Sequence, residues 1–140
     1  NEPGNSNFTW KDSPGDGRYR KSMYTYWKRM LLHPSLASFD APPRQVCIAR
    51  RSITNTPRQA LVTLNDPIFH ECAQAFARHI TREHPRAEAR LEFAFRQCLS
   101  RSPDHEEQKR FLGFADRGGD ETWVSVATVL LNLDETLTRE

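Results

Sequence analysis

Three cysteines (Cys47, Cys72, Cys98) and five histidines (His33, His70, His79, His84, His105) are the residues in this sequence best suited to hold a metal or attack a substrate. Their spacing argues against both roles. No C-x-x-C pair occurs, so neither a redox dithiol nor the C-x-x-C-H attachment of haem is present. His70-Glu71 opens like the H-E-x-x-H of zinc proteases, but position 74 is Gln and the second imidazole is missing. No His/Cys cluster has the spacing of a zinc site. The six glycines form no Walker loop, dinucleotide fingerprint or G-x-S-x-G elbow. Carboxylates are abundant, yet no pair is marked as an acid/base couple. The expectation is no catalytic residue, no metal ligand and no cofactor in this segment.

Two stretches keep some chemical promise. In RYRKSMYTYWKR, Arg18 to Arg29, aromatic residues interleave with cations, a pattern able to stack on bases or sugar rings. The competing reading is an amphipathic helix whose aromatics are core. Met23, Tyr26, Trp27 and Met30 fall at i, i+3, i+4 and i+7, and that period favours the helix. The second stretch runs from Phe39 to Pro67 and is dense in Arg, Asp, Asn, Thr and Pro. Asp40, Arg50, Arg51 and Asn55 are its candidate binding residues. Adjacent Arg50 and Arg51 cannot both point into one pocket. One is expected to brace the loop, with Asp40 as a partner, while the other faces outward.

The elements that must position these residues read as helices. The first is expected over about Ser22 to Leu31, stopped by His33-Pro34. Residues 33–55 are Pro-punctuated and irregular. Thr56-Pro57-Arg58-Gln59 is a T-x-x-Q capping box with Pro at the first helical position, and this helix is expected to end near Asn65, a residue that tolerates the left-handed conformation after a helix. Asp66-Pro67 starts a third helix to about Glu83, with Phe69, Cys72, Ala73, Phe76 and Ile80 on its apolar stripe. A fourth covers about Arg86 to Ser100, with Leu91, Ala94, Phe95, Cys98 and Leu99 inward. Ser102-Pro103 opens a fifth, whose first turns carry Asp104, Glu106 and Glu107, and Gly118-Gly119 closes it. The last runs from about Asp120 to Thr138. The fold class is therefore all-α, a bundle of five to six helices with a long Pro/Arg-rich connection after the first.

Length allows one domain and one main core. Residues 1–17, with three Gly and two Pro, read as a linker, leaving 18–140 as a single helical domain and the C-terminal part of a larger protein. No apolar run approaches the roughly 20 residues of a membrane span, so membrane insertion is not expected. The net charge of +2 hides an asymmetry: residues 1–58 hold ten Lys/Arg against four Asp/Glu. Such polarity suits an acidic partner. A sequence pI near 8.6 falls short of the balance of a nucleic-acid binder, and nucleic acid is not expected as a partner.

The segments YRKSMYTYWKR, HPSLASFDAPPRQVC, RRSITNTPRQALVTLNDPIF and LLNLDETLTRE, in that order, resemble a planctomycetal cytochrome-associated domain of unknown function, the PSD-one domain. The resemblance covers about Arg18 to Glu140. It implies an exported protein of the periplasm or cell envelope, with a c-type cytochrome domain upstream as a partner. It supplies no catalytic residues.

Two functions follow as expectations. One is a non-catalytic interaction module docking onto the upstream domains, a glycan or another protein. The other is a contribution to the active site of a polysaccharide hydrolase, with Asp40, Arg50 or Asn55 in the cleft. A geometric expectation accompanies both. Cys72 lies thirteen residues before Pro85 and Cys98 thirteen after, so an antiparallel hairpin brings them to one height. They are then neighbours, either as two buried thiols or, given the export that the resemblance implies, as a disulfide.

Overall fold

A computed structural model of the chain describes residues 10–11, 13–28, 31–50 and 52–138. Among these the secondary structure is helical, with one isolated antiparallel bridge between Lys28 and Leu31 and no strand. The all-α expectation holds. The chain divides into two compact units, Asn1–Ser52 and Ile53–Glu140, so the domain expected over 18–140 contains parts of both.

In the first unit the helix expected over Ser22–Leu31 does not form. Short 3-10 turns cover Gly15–Tyr19 and Ser22–Tyr24, and Thr25 is extended (φ −75°, ψ 142°). The reason is local. Lys21 offers no side-chain cap to the Ser22 turn, and Thr and Tyr lose side-chain freedom in a helix. A helix of about ten residues needs tertiary packing to survive, and two residues of the stripe, Met23 and Tyr26, are 68% and 62% exposed. Arg29 and Met30 lie outside the described residues. Helix α1, Pro34–Ser38, lies within the stretch expected to be irregular. Its proline occupies the first turn, and the His33 ring accepts a hydrogen bond from the Ser35 N–H at 3.3 Å.

The second unit contains α2 (Pro57–Asn65), α3 (Pro67–Glu83), α4 (Ala87–Leu99), α5 (His105–Ala115), α6 (Thr122–Leu131) and α7 (Asp134–Leu137). The T-x-x-Q box forms as read: the Thr56 hydroxyl accepts from the Gln59 N–H, and the Gln59 side chain accepts from the Thr56 N–H at 2.8 Å. Asn65 is the last residue of α2, as expected, but it does not take the left-handed conformation. It stays helical, and Asp66 (φ −73°, ψ 125°) both ends α2 and caps α3 through the Ile68 N–H. The left-handed terminus falls instead at Ser100, after α4.

α5 begins with a second capping box, in which Asp104 and Glu107 accept from each other's N–H. The last expected helix is broken into α6 and α7 at Asn132-Leu133, where Leu133 is extended and the Thr136 hydroxyl donates to the Leu130 carbonyl at 2.6 Å.

α6 is the most apolar helix and sits centrally, as a helix hydrophobic on most sides must. Its largest interface is with α3, and α4 and α5 also pack on it. The core comprises Ala73, Ala77, Ile80, Leu91, Ala94, Phe95, Ala115, Trp123, Val126, Ala127 and Leu130. Alanines on α3 and α4 let the helix axes approach, while Phe95 and Leu91 fill the space between. Burying a Leu or Phe of this kind stabilises the fold by about 1.5–3 kcal/mol.

Candidate functional site

The candidate residues distribute over both units. Asp40 stands just after α1 with φ +56°, and the N–H of Ala41 bonds back to the Leu36 carbonyl at 3.0 Å. This is a Schellman end with Asp at the left-handed position usually held by Gly or Asn. Asp40 thus has a structural reason to be there. Arg50 is exposed, the outward position expected for one of the two arginines, and Arg51, the other of the pair, lies outside the described residues. The unexpected arginine of this stretch is Arg44. Its backbone is left-handed (φ +60°), and its guanidinium lies over the Trp27 ring at 3.8 Å.

Asn55, in the second unit, donates its side-chain amide to Asp134 at 2.6 Å. Nearby the buried Thr63 hydroxyl bonds to the Asn132 side chain. These two contacts tie α2 and the residues before it to the break between α6 and α7. Asn55 is therefore engaged in holding the fold.

Two arginines that the sequence did not mark carry the polar frame of the second unit. Arg90, on α4, is 16% exposed and spans the break between α3 and α4. It donates to the carbonyls of His84 at 2.7 Å and Thr81 at 3.4 Å, and pairs with Asp120 at 2.9 Å. It also borders a cavity of about 260 Å³ with Ala87, Asp116, Gly119 and Trp123. Arg101 binds Glu107 and Glu135 together, with bonds of 2.7–3.0 Å, and lies over the Phe95 ring at 5.4 Å.

That network decides what its carboxylates can do. Hydrogen bonds from Arg101 lower the Glu107 carboxyl to about 2 and hold Glu135 below its ordinary value. The Arg101 guanidinium is held protonated by the same bonds. Glycoside hydrolysis needs one carboxyl that keeps its proton near neutral pH. Neither Glu107 nor Glu135 can be that acid.

Cys47, Cys72 and Cys98 are free thiols, so Cys72 and Cys98 are not joined. Of the expected stripe of α3, Ala73, Phe76 and Ile80 pack in or against the core, joined by Ala77, but Cys72 is exposed. Cys98 does pack against the core, and burial pushes its thiol up. Among the described residues, no group of three or more His, Cys, Asp or Glu could hold a metal, and no helix is long and apolar enough to cross a membrane.

One family model, described as PSD1, protein of unknown function (DUF1553), matches residues 1–115. The match includes the first unit and ends with α5. No curated protein and no solved structure matches the chain.

Proposed function

We propose, from the premise that this chain belongs to the PSD1 family of proteins of unknown function (DUF1553), that it is a non-catalytic helical interaction module. In this reading it is the C-terminal part of an exported, cytochrome-associated envelope protein and docks to that protein's other domains or to a separate partner. The observation that carries the reading is the exposure of large apolar side chains in the first unit, among them Met23, Tyr24, Tyr26, Val46 and Ile48. Concentrated exposure of this kind marks interaction surfaces more often than chemistry. The polar residues support it as well, since Asn55, Arg90, Arg101 and Glu107 are engaged in bonds that hold helices together.

The test uses the full-length protein. Cross-linking mass spectrometry is expected to place Val46 and Ile48 against another domain or a co-purifying partner. Asp40→Ala, Arg50→Ala and Asn55→Ala are expected to leave any polysaccharide hydrolysis unchanged. A folded variant of this set that loses hydrolysis would overturn the reading in favour of a shared active site.

A further inference from the structure

Between Asp16 and Asp40 the sequence has no carboxylate side chain, and it carries five cations there: Arg18, Arg20, Lys21, Lys28 and Arg29. The same segment exposes Tyr19, Met23, Tyr24 and Tyr26. A core role would explain these aromatics, but the structure gives them none. These side chains are 47–68% exposed on a stretch of one charge sign.

We propose that the tyrosine-and-cation strip from Arg18 to Lys28 binds an acidic polysaccharide. The proposal rests on the reading of this chain as an interaction module and names the chemical class of one partner.

Four observations argue for that ligand. First, Tyr24 ends a 3-10 turn and Tyr26 follows it across the extended Thr25, so the two exposed rings are close along the chain. An extended, repeating ligand can meet both in succession. Second, the rings are tyrosines. A phenol offers an apolar face to the C–H face of a sugar and a hydroxyl to its oxygens, as suits a ligand that is part apolar and part wet. Third, Arg20 and Lys21 are exposed just before these rings, placed to pair with carboxylate or sulfate groups. Fourth, the strip has internal support. Arg44 covers Trp27, the Trp27 indole N–H donates to the Ser22 carbonyl at 3.4 Å, and Trp10 lies tilted to Tyr26 with ring centres 6.5 Å apart and edge-on to His33. The tryptophans brace the segment, and Tyr24 and Tyr26 remain its most exposed rings.

Two other anionic partners fit less well. A lipid surface is bound by an amphipathic helix with a broad apolar face. The strip instead consists of two short 3-10 turns and extended backbone, with Met23 its one well-exposed non-aromatic apolar side chain. A nucleic acid calls for a more basic protein than one of pI near 8.6.

The test is affinity electrophoresis of the full 140-residue chain in gels containing polygalacturonate, with neutral dextran as the control. Polygalacturonate is expected to retard the chain and dextran not to. The retardation is expected to weaken as salt rises, because surface charges are screened beyond about 8 Å at physiological ionic strength. Tyr24→Ala/Tyr26→Ala is expected to bind about tenfold more weakly, each exposed ring contact being worth a few-fold. Tyr24→Phe/Tyr26→Phe should keep most of the affinity, and the helical circular dichroism should be unchanged in both. No retardation, equal retardation by dextran, or undiminished binding by the alanine variant would overturn the proposal. So would tighter binding to oligothymidylate or to phosphatidylglycerol vesicles. If the glycan fails while Val46 and Ile48 still cross-link to a partner, only the partner assignment falls.

Discussion

Arg101 grips Glu107 with both arms of its guanidinium, Nη1 lying 2.7 Å from Oε2 and Nη2 2.8 Å from Oε1. The same Oε2 accepts the Asp104 N–H that opens α5, and the Arg101 Nε reaches Glu135 on α7. One side chain thus ties the start of α5 to the C-terminal helix. Arg101→Ala is expected to cost about 1–2 kcal/mol. This exceeds the usual value of an exposed pair because the contact is bidentate and its partner also caps a helix. Urea denaturation measures it, and a loss below about 0.3 kcal/mol would make the grip ornamental.

The pH dependence of this contact has a definite sign. The folded carboxyl of Glu107 is lowered to about 2 from an ordinary 4.5. Its contribution is therefore present above pH 4.5 and is lost as pH falls toward 2. Wild type is expected to lose stability more steeply than Glu107→Gln across that interval, in denaturation series at stepped pH. Parallel slopes would mean that the carboxylate is not held ionised by Arg101.

Arg90 and Asp120 separate a buried brace from its exposed partner. The Arg90 side chain is 16% exposed, and that of Asp120 is 75% exposed. Arg90→Ala strands the His84 and Thr81 carbonyls and is expected to cost about 2–3 kcal/mol. Asp120→Asn removes only an exposed charge and is expected to cost under about 1 kcal/mol. Equal losses in thermal unfolding would show that the ion pair, and not the carbonyl contacts, carries the energy.

Thr56→Ala removes the acceptor for the Gln59 N–H and is expected to destabilise by about 1 kcal/mol, while Thr56→Ser restores most of it. Chemical denaturation of both variants reads the difference. An unchanged midpoint in the alanine variant would place the stability of α2 in its packing alone.

The cysteines differ in access. Native-state alkylation followed by mass spectrometry is expected to label the exposed Cys47 and Cys72 well before Cys98, whose thiol is partly buried and pushed up by burial. Unfolding should remove the difference. A Cys72–Cys98 peptide pair surviving without reductant would contradict the free thiols described above.

The helix starts were legible because capping is local. Thr56 with Gln59, and Asp66 with Pro67, state their geometry within four residues, and the structure follows them. The Asp104–Glu107 box is equally local, although position in the first turn marks those carboxylates only as dipole partners. Arg101 with Glu135 and Arg90 with Asp120 were not legible, because they join positions 34 and 30 residues apart through packing. Counting from Pro85 gave Cys72 and Cys98 a common height but no rotation about the helix axis. Cys72 precedes the inward Ala73 by one residue, about 100° of turn, and so faces out. The Ser22–Leu31 period misled for a related reason. A stripe of the right spacing makes a helix only where something covers it, and here Met23 and Tyr26 are left in solvent.

Asp66 closes one helix and opens the next with no residue between them. The corner therefore has no slack to absorb a change in chain length. One amino acid inserted between Asn65 and Pro67 would swing α3 by about 100° unless the corner loosened. Ala73, Ala77 and Ile80 would then leave the groove beside α6, and bulkier neighbours would be driven into it. Length variation between relatives of this chain is thus expected to collect elsewhere, in Pro- and Gly-containing connections such as 100–104 and 116–119, and to spare this elbow.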